Sequence, residues 1–124
     1  MQRKLEDDRT IYQQIAKTIE DDILKSALKE NDVVPSTNQL AKFYTINPAT
    51  AAKGVNMLVE DGVLYKKRGL GMYVSKGAKE TIMKKRKQSF YQDLLINVLI
   101  EAEYLHISKE ELADMILNNS ITNN

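Results

Sequence analysis

Two helix start signals stand close together in the middle of this chain of 124 residues. Ser36 and Gln39 fit a capping box, in which each side chain satisfies a free backbone N–H group at the start of a helix. Asn47 is a favourable N-cap residue, and Pro48 suits the first helical position, where its missing N–H costs nothing. Only residues 44–47 separate the two predicted helices. So short a connection predicts a helix-turn-helix arrangement whose second helix projects from the body.

Hydrophobic periodicity defines the elements around this pair. An amphipathic helix is predicted over roughly residues 11–26, because isoleucines recur there at every fourth position. These isoleucines are Ile11, Ile15, Ile19 and Ile23. Val33 and Val34 predict a short extended piece, and Gly62 stands where the projecting helix is expected to end. The apolar stripe of the projecting helix consists of Ala51, Val55 and Leu58.

A β-hairpin is predicted after the projecting helix. Residues 63–67 and 72–75 are rich in strand formers, and residues 68–71 join them with two glycines at the tip. A helix-turn-helix followed by a hairpin is a winged helix. A long helix is then predicted over residues 79–105, and Ser108 begins a final short helix by a second capping box.

The predicted fold class is therefore mainly α with a small β-hairpin. A winged helix-turn-helix occupies residues 1–77, and a C-terminal helical segment occupies residues 78–124. Residues 118–124 are expected to be frayed.

The C-terminal segment carries a wide apolar face. The winged helix is already packed on its own three helices, so it has no free surface that could cover this face. Such a face is typical of an interface, so we expect this segment to form a homodimer. The predicted interface residues are Tyr91, Leu94, Leu95, Val98, Leu99, Ala102 and Leu105. The alternative is that the segment folds back on its own winged helix.

Residue usage excludes several classes of chemistry. The chain has no cysteine and a single histidine, so thiol nucleophiles, iron–sulfur clusters and cysteine-containing zinc sites are excluded. No nucleophile–base pair, paired-carboxylate signature, phosphate loop or metal-ligand spacing is visible. We therefore expect a protein that is not an enzyme and has no cofactor. His106 is interpreted as an ordinary surface or interface residue.

Hydropathy predicts a cytoplasmic protein that does not contact membranes. No apolar run approaches the roughly 18 residues of a membrane span. The N-terminus also lacks the apolar stretch of a secretory signal peptide.

Charge is distributed unevenly along a chain whose formal net charge is only +1. Residues 1–52 carry a net charge of −1, residues 53–87 carry +7, and residues 88–124 carry −5. A concentrated basic block favours a surface that meets a polyanion, although a solvated charged face gives the same count. The cluster Lys84-Lys85-Arg86-Lys87 either approaches a flanking part of that polyanion or, as we favour, forms the solvated start of the long helix.

Four spaced motifs follow one another in the first part of the chain. They are Pro35-Ser36-x-x-x-Leu40-Ala41, Ile46-Asn47-Pro48-x-Thr50, Leu58-x-x-x-Gly62 and Lys67-Arg68-Gly69-x-Gly71-x-x-Val74. From about Ile11 to Val74 the chain thereby resembles the GntR family of bacterial transcription regulators, and most of all its YtrA-type subgroup. The resemblance implies a winged helix that binds operator DNA as a dimer. It also implies a short helical tail that serves mainly in dimerisation and is too small for the effector pocket of larger subfamilies.

Two positions depart from the family pattern. Asn38 stands where relatives usually carry an arginine that approaches DNA. Ala52 stands where relatives are often basic, which leaves Lys53 as the only cation in the first turns of the projecting helix. The arginine–guanine contacts of relatives therefore do not carry over to this chain.

Base readout in the major groove requires exposed side chains on the first turns of the projecting helix, opposite its apolar stripe. The outward set is Asn47, Ala49, Thr50, Lys53 and Asn56. Lys53 is the strongest candidate, because its long side chain reaches a guanine edge or a phosphate. Asn47 has the alternative role of a simple N-cap, and Thr50 that of an exposed helical threonine.

Two further surfaces are predicted to contact the DNA backbone. Ser36, Thr37 and Asn38 begin a helix, where free N–H groups and the positive end of the dipole attract a phosphate. Ser36 has the alternative role of a cap alone. The hairpin tip combines adjacent cations with glycines that allow close backbone approach, although the glycines by themselves equally suit a tight turn. The tip residues are Lys66, Lys67, Arg68, Gly69, Leu70 and Gly71.

Together these features predict a sequence-specific DNA-binding transcription regulator. We expect a homodimeric repressor that occludes a palindromic operator, with double-stranded DNA and a second copy as partners. The residues do not identify a small-molecule effector. The alternative is a winged helix used for protein–protein contact, in which the basic block meets an acidic partner. Salt-dependent binding to duplex DNA distinguishes the two.

Overall fold

The computed structural model describes residues 2–119, with side chains from residue 11 onward. The chain divides into two compact units, residues 1–84 and 85–124. The division falls inside a helix rather than at Gly77, because Ala78 and Ile82 are fully buried in the core of the first unit. Residues 120–124, which belong to the segment expected to be frayed, lie outside the described residues.

Three helices open the first unit, and the second and third begin at the start signals predicted. They are α1 (Gln2–Leu24), α2 (Thr37–Tyr44) and α3 (Pro48–Glu60). Gln39 donates its backbone N–H to the Ser36 hydroxyl at 3.1 Å, and Ser36 donates its own to the Gln39 side chain at 2.8 Å. Asn47 caps α3 by accepting the Ala49 N–H at 2.7 Å. The capping box, the proline at the start of α3 and the helix-turn-helix are thus confirmed.

The predicted bounds of α1 are wrong at both ends. The helix begins at Gln2 instead of near residue 11, because the polar sequence before Ile11 has no apolar periodicity that would mark a helix start. It ends at Leu24, and Ser26 then adopts a left-handed backbone with φ of 65°, which does not continue a helix.

The core of the first unit lies between α1 and α3, which cross closely. A Cβ atom placed on Gly54 would lie 2.6 Å from the backbone oxygen of Tyr12, so only glycine permits this approach. The stripes of both helices meet in one apolar cluster, as their spacing predicts. Its members include Ile15, Ile19, Ile23, Ala51, Val55 and Leu58.

The wing is an antiparallel hairpin of β1 (Leu64–Lys67) and β2 (Gly71–Val74), which confirms the predicted hairpin. Gly69 and Gly71 have φ values of 71° and 100°, a conformation that L side chains rarely adopt. The extended piece predicted before α2 pairs with the wing through one isolated β-bridge, between Val33 and Tyr73, and the sheet itself has two strands.

The helices after the wing are α4 (Ala78–Ser89), a π-helical turn (Phe90–Leu95), α5 (Ile96–Tyr104) and α6 (Lys109–Leu117). The long helix predicted over residues 79–105 is thus confirmed as a continuous helical stretch, and the π-helical turn inside it is a feature that the sequence did not indicate. The Ile96 N–H donates to the carbonyl of Tyr91, five residues earlier, which is the spacing of a π-helix. Ser108 caps α6 by accepting the Glu111 N–H at 3.0 Å. Within the described residues, we find no helix of the length and apolarity that crossing a bilayer requires.

Candidate nucleic-acid interface

The first turns of α3 present the outward face that the sequence predicts. Ala49, Lys53 and Asn56 are exposed, whereas Thr50 is half-buried. The opposite face of the helix, formed by Ala51, Val55 and Leu58, is completely buried. Asn47 is exposed even though its side chain caps the helix, so capping leaves it accessible.

Lys53 is oriented by an aromatic ring that the sequence analysis did not single out. Its ammonium nitrogen lies 4.2 Å from the centroid of the Tyr12 ring on α1, a cation–π contact. Gly54, the next residue along α3, brings the two helices close enough for this contact. A glycine inside a predicted helix was the available signal, since it often marks close approach of another backbone.

The start of α2 offers backbone donors beside polar side chains. Ser36 and Asn38 are exposed and Thr37 is half-buried. The capping box uses the backbone N–H groups of Ser36 and Gln39, which leaves those of Thr37 and Asn38 without an acceptor inside the helix. These donors lie at the positive end of the helix dipole, an arrangement suited to a phosphate.

The wing tip is cationic and exposed. The exposed tip residues are Lys66, Lys67, Arg68, Gly69, Leu70 and Gly71. Lys67 lies with its ammonium nitrogen 4.6 Å from the ring centroid of Tyr73. Tyr73 in turn stacks on Tyr65 at 5.9 Å, and the Tyr65 hydroxyl donates to Asn31 at 2.9 Å. This aromatic support was also missed, although directly opposed tyrosines on a predicted hairpin could have indicated it.

All residues predicted to contact DNA lie within the unit of residues 1–84. The basic cluster Lys84–Lys87 is divided between the two units, with Lys84 and Lys87 exposed and Lys85 and Arg86 half-buried. The residues predicted to contact DNA thus come from α3, the start of α2 and the wing.

The residues predicted to form a dimer interface lie within residues 85–124 and differ in exposure. Tyr91, Leu94, Val98 and Leu105 are exposed, and Leu95 and Leu99 are half-buried. Ala102 is buried, because the chain turns back after α5 and Ile107 donates its N–H to the Ala102 carbonyl at 2.8 Å. His106 is exposed in that turn, as expected of a surface residue.

Comparison with known proteins identifies the family. Residues 11–74 match the model of the bacterial regulatory proteins of the gntR family. The chain is 32% identical over 106 residues to the HTH-type transcriptional repressor YtrA of Bacillus subtilis, covering 86% of this chain and 81% of that protein.

Solved structures agree with this match. A GntR-family protein from Bacteroides thetaiotaomicron shares the fold with a TM-score of 0.75 and 32% identity, over 92% of this chain and 99% of that one. The DNA-binding domain of AraR, solved in complex with operator ORR3, matches 52% of this chain and 77% of its own with a TM-score of 0.50 and 26% identity. With its winged helix and these relatives, the chain belongs to the GntR family and is a DNA-binding transcription regulator, not an enzyme.

Proposed function

We propose that the protein is a repressor that binds a palindromic operator as a homodimer. The observation that carries this proposal is the exposure, on one compact unit, of the first turns of α3 together with a cationic wing. The relative YtrA is named a repressor, and the AraR domain was solved bound to its operator, which supports the same role here.

The outward face of α3 reads bases in the major groove. Ala49 and Thr50 offer small and apolar contacts, such as cover for a thymine methyl group, while Lys53 reaches a guanine edge. The contact with Tyr12 restricts the Lys53 side chain before DNA arrives, so less conformational entropy is lost on binding. Asn47 and Asn56 lie at the margins of this surface and contact phosphate or base edges.

Two contacts hold α3 in register on the duplex. The N–H groups of Thr37 and Asn38 bind one phosphate, with Ser36 beside them. On the wing, Lys66, Lys67 and Arg68 neutralise phosphates, and the glycines at the tip allow the backbone to approach the sugar-phosphate chain. These contacts supply affinity for any sequence, whereas α3 supplies specificity.

The C-terminal unit supplies the dimer. Burying the exposed side chains of Tyr91, Leu94, Val98 and Leu105 against a second copy removes a large apolar surface from water. Two-fold symmetry then matches a palindrome, with half-sites about one DNA turn, roughly 34 Å, apart. Two recognition helices and two wings on one face of the duplex block access of polymerase.

Selection from a random pool of duplexes tests the proposal. The full chain should enrich an inverted repeat whose half-sites are spaced by about one helical turn. A matched variant, Lys53→Ala, should enrich a more degenerate repeat with the same spacing. Failure to enrich any sequence, together with salt-independent binding, would support the protein–protein alternative instead.

A further inference from the structure

A cavity of about 420 Å³ lies between α1 and α2 on the first compact unit. Its volume falls within the roughly 300–1,000 Å³ typical of small-molecule sites. Ile19, Leu28 and Leu40 contribute apolar lining, and Leu40 and Ile19 also belong to the core. Because α1 and α2 both pack against α3, the space between α1 and α2 is left open, and this space is the cavity.

Two aromatic residues at the end of α2 border this cavity. Phe43 is 79% exposed and Tyr44 is 38% exposed, and their rings meet edge to face with centroids 4.9 Å apart. An exposed phenylalanine beside an apolar cavity is unfavourable in water and marks a surface that gains by being covered. Aromatic faces also attract cations.

The charge that lines the cavity is negative. Among the described residues that line it, Asp22 alone is charged. Asp22 is half-buried, and within residues 11–119 its carboxylate has no hydrogen bond or ion pair. A carboxylate with no partner at an apolar cavity favours a bound cation, because opposite charges attract and the apolar lining screens the interaction less than bulk water does.

We propose that this cavity binds an organic cation with an apolar, aromatic body. The apolar lining takes up the body of the ligand, while Asp22, Phe43 and Tyr44 recognise its charge. A second cavity of about 290 Å³ adjoins the first, since Thr18 and Tyr44 line both. The site therefore has room for a bulky ligand along α1.

The position of the site connects it to DNA binding, a step that rests on the proposed function. Pro35 and Gln39 also line the cavity, and Gln39 closes the capping box at the start of α2. A ligand between α1 and α2 shifts the N-terminal end of α2. That end carries the proposed phosphate contact of Thr37 and Asn38. Ligand binding therefore weakens DNA binding, and DNA weakens ligand binding by the same factor.

Tetraphenylphosphonium is a suitable probe, and tetraphenylborate is a control of the same shape and opposite charge. We expect saturable binding of the cation to the full chain without DNA, with NMR shifts confined to the rings of Phe43 and Tyr44 and the methyl groups of Leu28 and Leu40. No saturable binding, or equal shifts at these groups with tetraphenylborate, would overturn the site.

Substitutions locate the probe. Asp22→Asn should weaken tetraphenylphosphonium binding about fivefold, the size of one partly exposed charge interaction. Phe43→Ala, a surface change that leaves the core intact, should weaken it about threefold. The matched controls Asp93→Asn and Phe90→Ala remove the same groups from the second unit and should leave the affinity unchanged. Equal losses in the controls would overturn the assignment.

DNA affinity measured with and without the probe tests the regulatory step. We expect saturating tetraphenylphosphonium to weaken operator binding, and saturating operator to weaken probe binding by an equal factor. Probe binding that leaves DNA affinity unchanged would overturn the regulatory step while leaving the site in place. A protein that binds the probe but no DNA would overturn the proposed function instead, so the two failures are distinguishable.

Discussion

Lys53 and Arg68 are two exposed cations on the same unit with different geometry. Lys53 extends from the face of α3, whereas Arg68 stands at the tip of the wing. Lys53→Ala should cost about 1–3 kcal/mol on the operator and relax base preference, while Arg68→Ala should weaken all sequences about equally. Fluorescence anisotropy on operator and scrambled duplexes measures both. Equal losses on both duplexes for Lys53→Ala would make it a phosphate contact.

Tyr12 is predicted to act through Lys53. Replacing the ring by Tyr12→Leu removes the cation–π contact, which at an exposed site is worth about 0.5–1 kcal/mol. DNA affinity should fall by a comparable amount, and Tyr12→Phe should preserve it because the ring face remains. In a double-mutant cycle, Tyr12→Leu should have no further effect once Lys53 is alanine. Additive losses would show that Tyr12 contributes to affinity independently of Lys53.

The role of a single residue could be predicted where its hydrogen-bond partner lies within a few positions along the sequence. The hydroxyl of Ser36 and the side-chain oxygen of Asn47 bond within three residues, so sequence spacing alone identifies both caps. The contact of Lys53 with Tyr12 joins two different helices, and its geometry depends on how closely they cross. No spacing in the sequence encodes that distance.

Among the helices, the crossing of α1 and α3 gives a direct test of packing. In Gly54→Ala the new methyl group would meet the backbone oxygen of Tyr12 at 2.6 Å, and a backbone atom cannot rotate away. Alanine gains up to about 1 kcal/mol in helix propensity, but overpacking against a backbone atom costs about 2–3 kcal/mol, so we expect a net loss of about 1–2 kcal/mol.

Chemical denaturation of Gly54→Ala measures this loss in the free energy of unfolding. Asn56→Ala, at an exposed position of the same helix, is the matched control and should stay within about 0.5 kcal/mol of the parent. A Gly54→Ala protein more stable than the parent would show that α1 shifts at little cost and that the close approach is not required.

Element boundaries were predictable where the apolar pattern changes and not elsewhere. The hairpin and α3 are bounded by proline and glycine, and their predicted limits agree with the structure to within a residue or two. The start of α1 lies in a polar stretch, where helix formation leaves no periodicity to detect. The π-helical turn at Phe90–Leu95 likewise has no compositional mark, because it differs from an α-helix only in its hydrogen-bond spacing.

On the scale of the whole molecule, the basic block of residues 53–87 predicts electrostatic binding. Each phosphate neutralised by Lys or Arg adds about 0.9 to the slope of log K against log salt concentration. We expect a steep fall in DNA affinity between low and moderate salt, and a shallower slope for the triple variant Lys66→Ala, Lys67→Ala, Arg68→Ala. Affinity that barely changes with salt would contradict a DNA footprint on this block.

The division into two units could be predicted only approximately. Composition changes after Gly77, yet the first unit extends to residue 84 because Ala78 and Ile82 complete its core. The charge asymmetry, by contrast, was readable directly, since it depends on counting and not on packing.

The proposed operator geometry requires a dimer, and the apolar side chains of the second unit are predicted to form it. Leu94 is 60% exposed and Val98 is 44% exposed, and they lie four residues apart on successive helical turns. The double variant Leu94→Glu, Val98→Glu would place two charges in the dimer contact, where burying them is costly. Asn97→Glu adds a charge at an exposed polar position between them and is the matched control.

Sedimentation velocity should find the parent chain and Asn97→Glu dimeric and the double variant monomeric. The monomer should bind a half-site and a full palindrome with similar affinity, because the second half-site gains nothing without a linked partner. A chain ending at Lys84 retains the complete first unit and should behave in the same way. A double variant that still dimerises and prefers the palindrome would place the interface on a different surface.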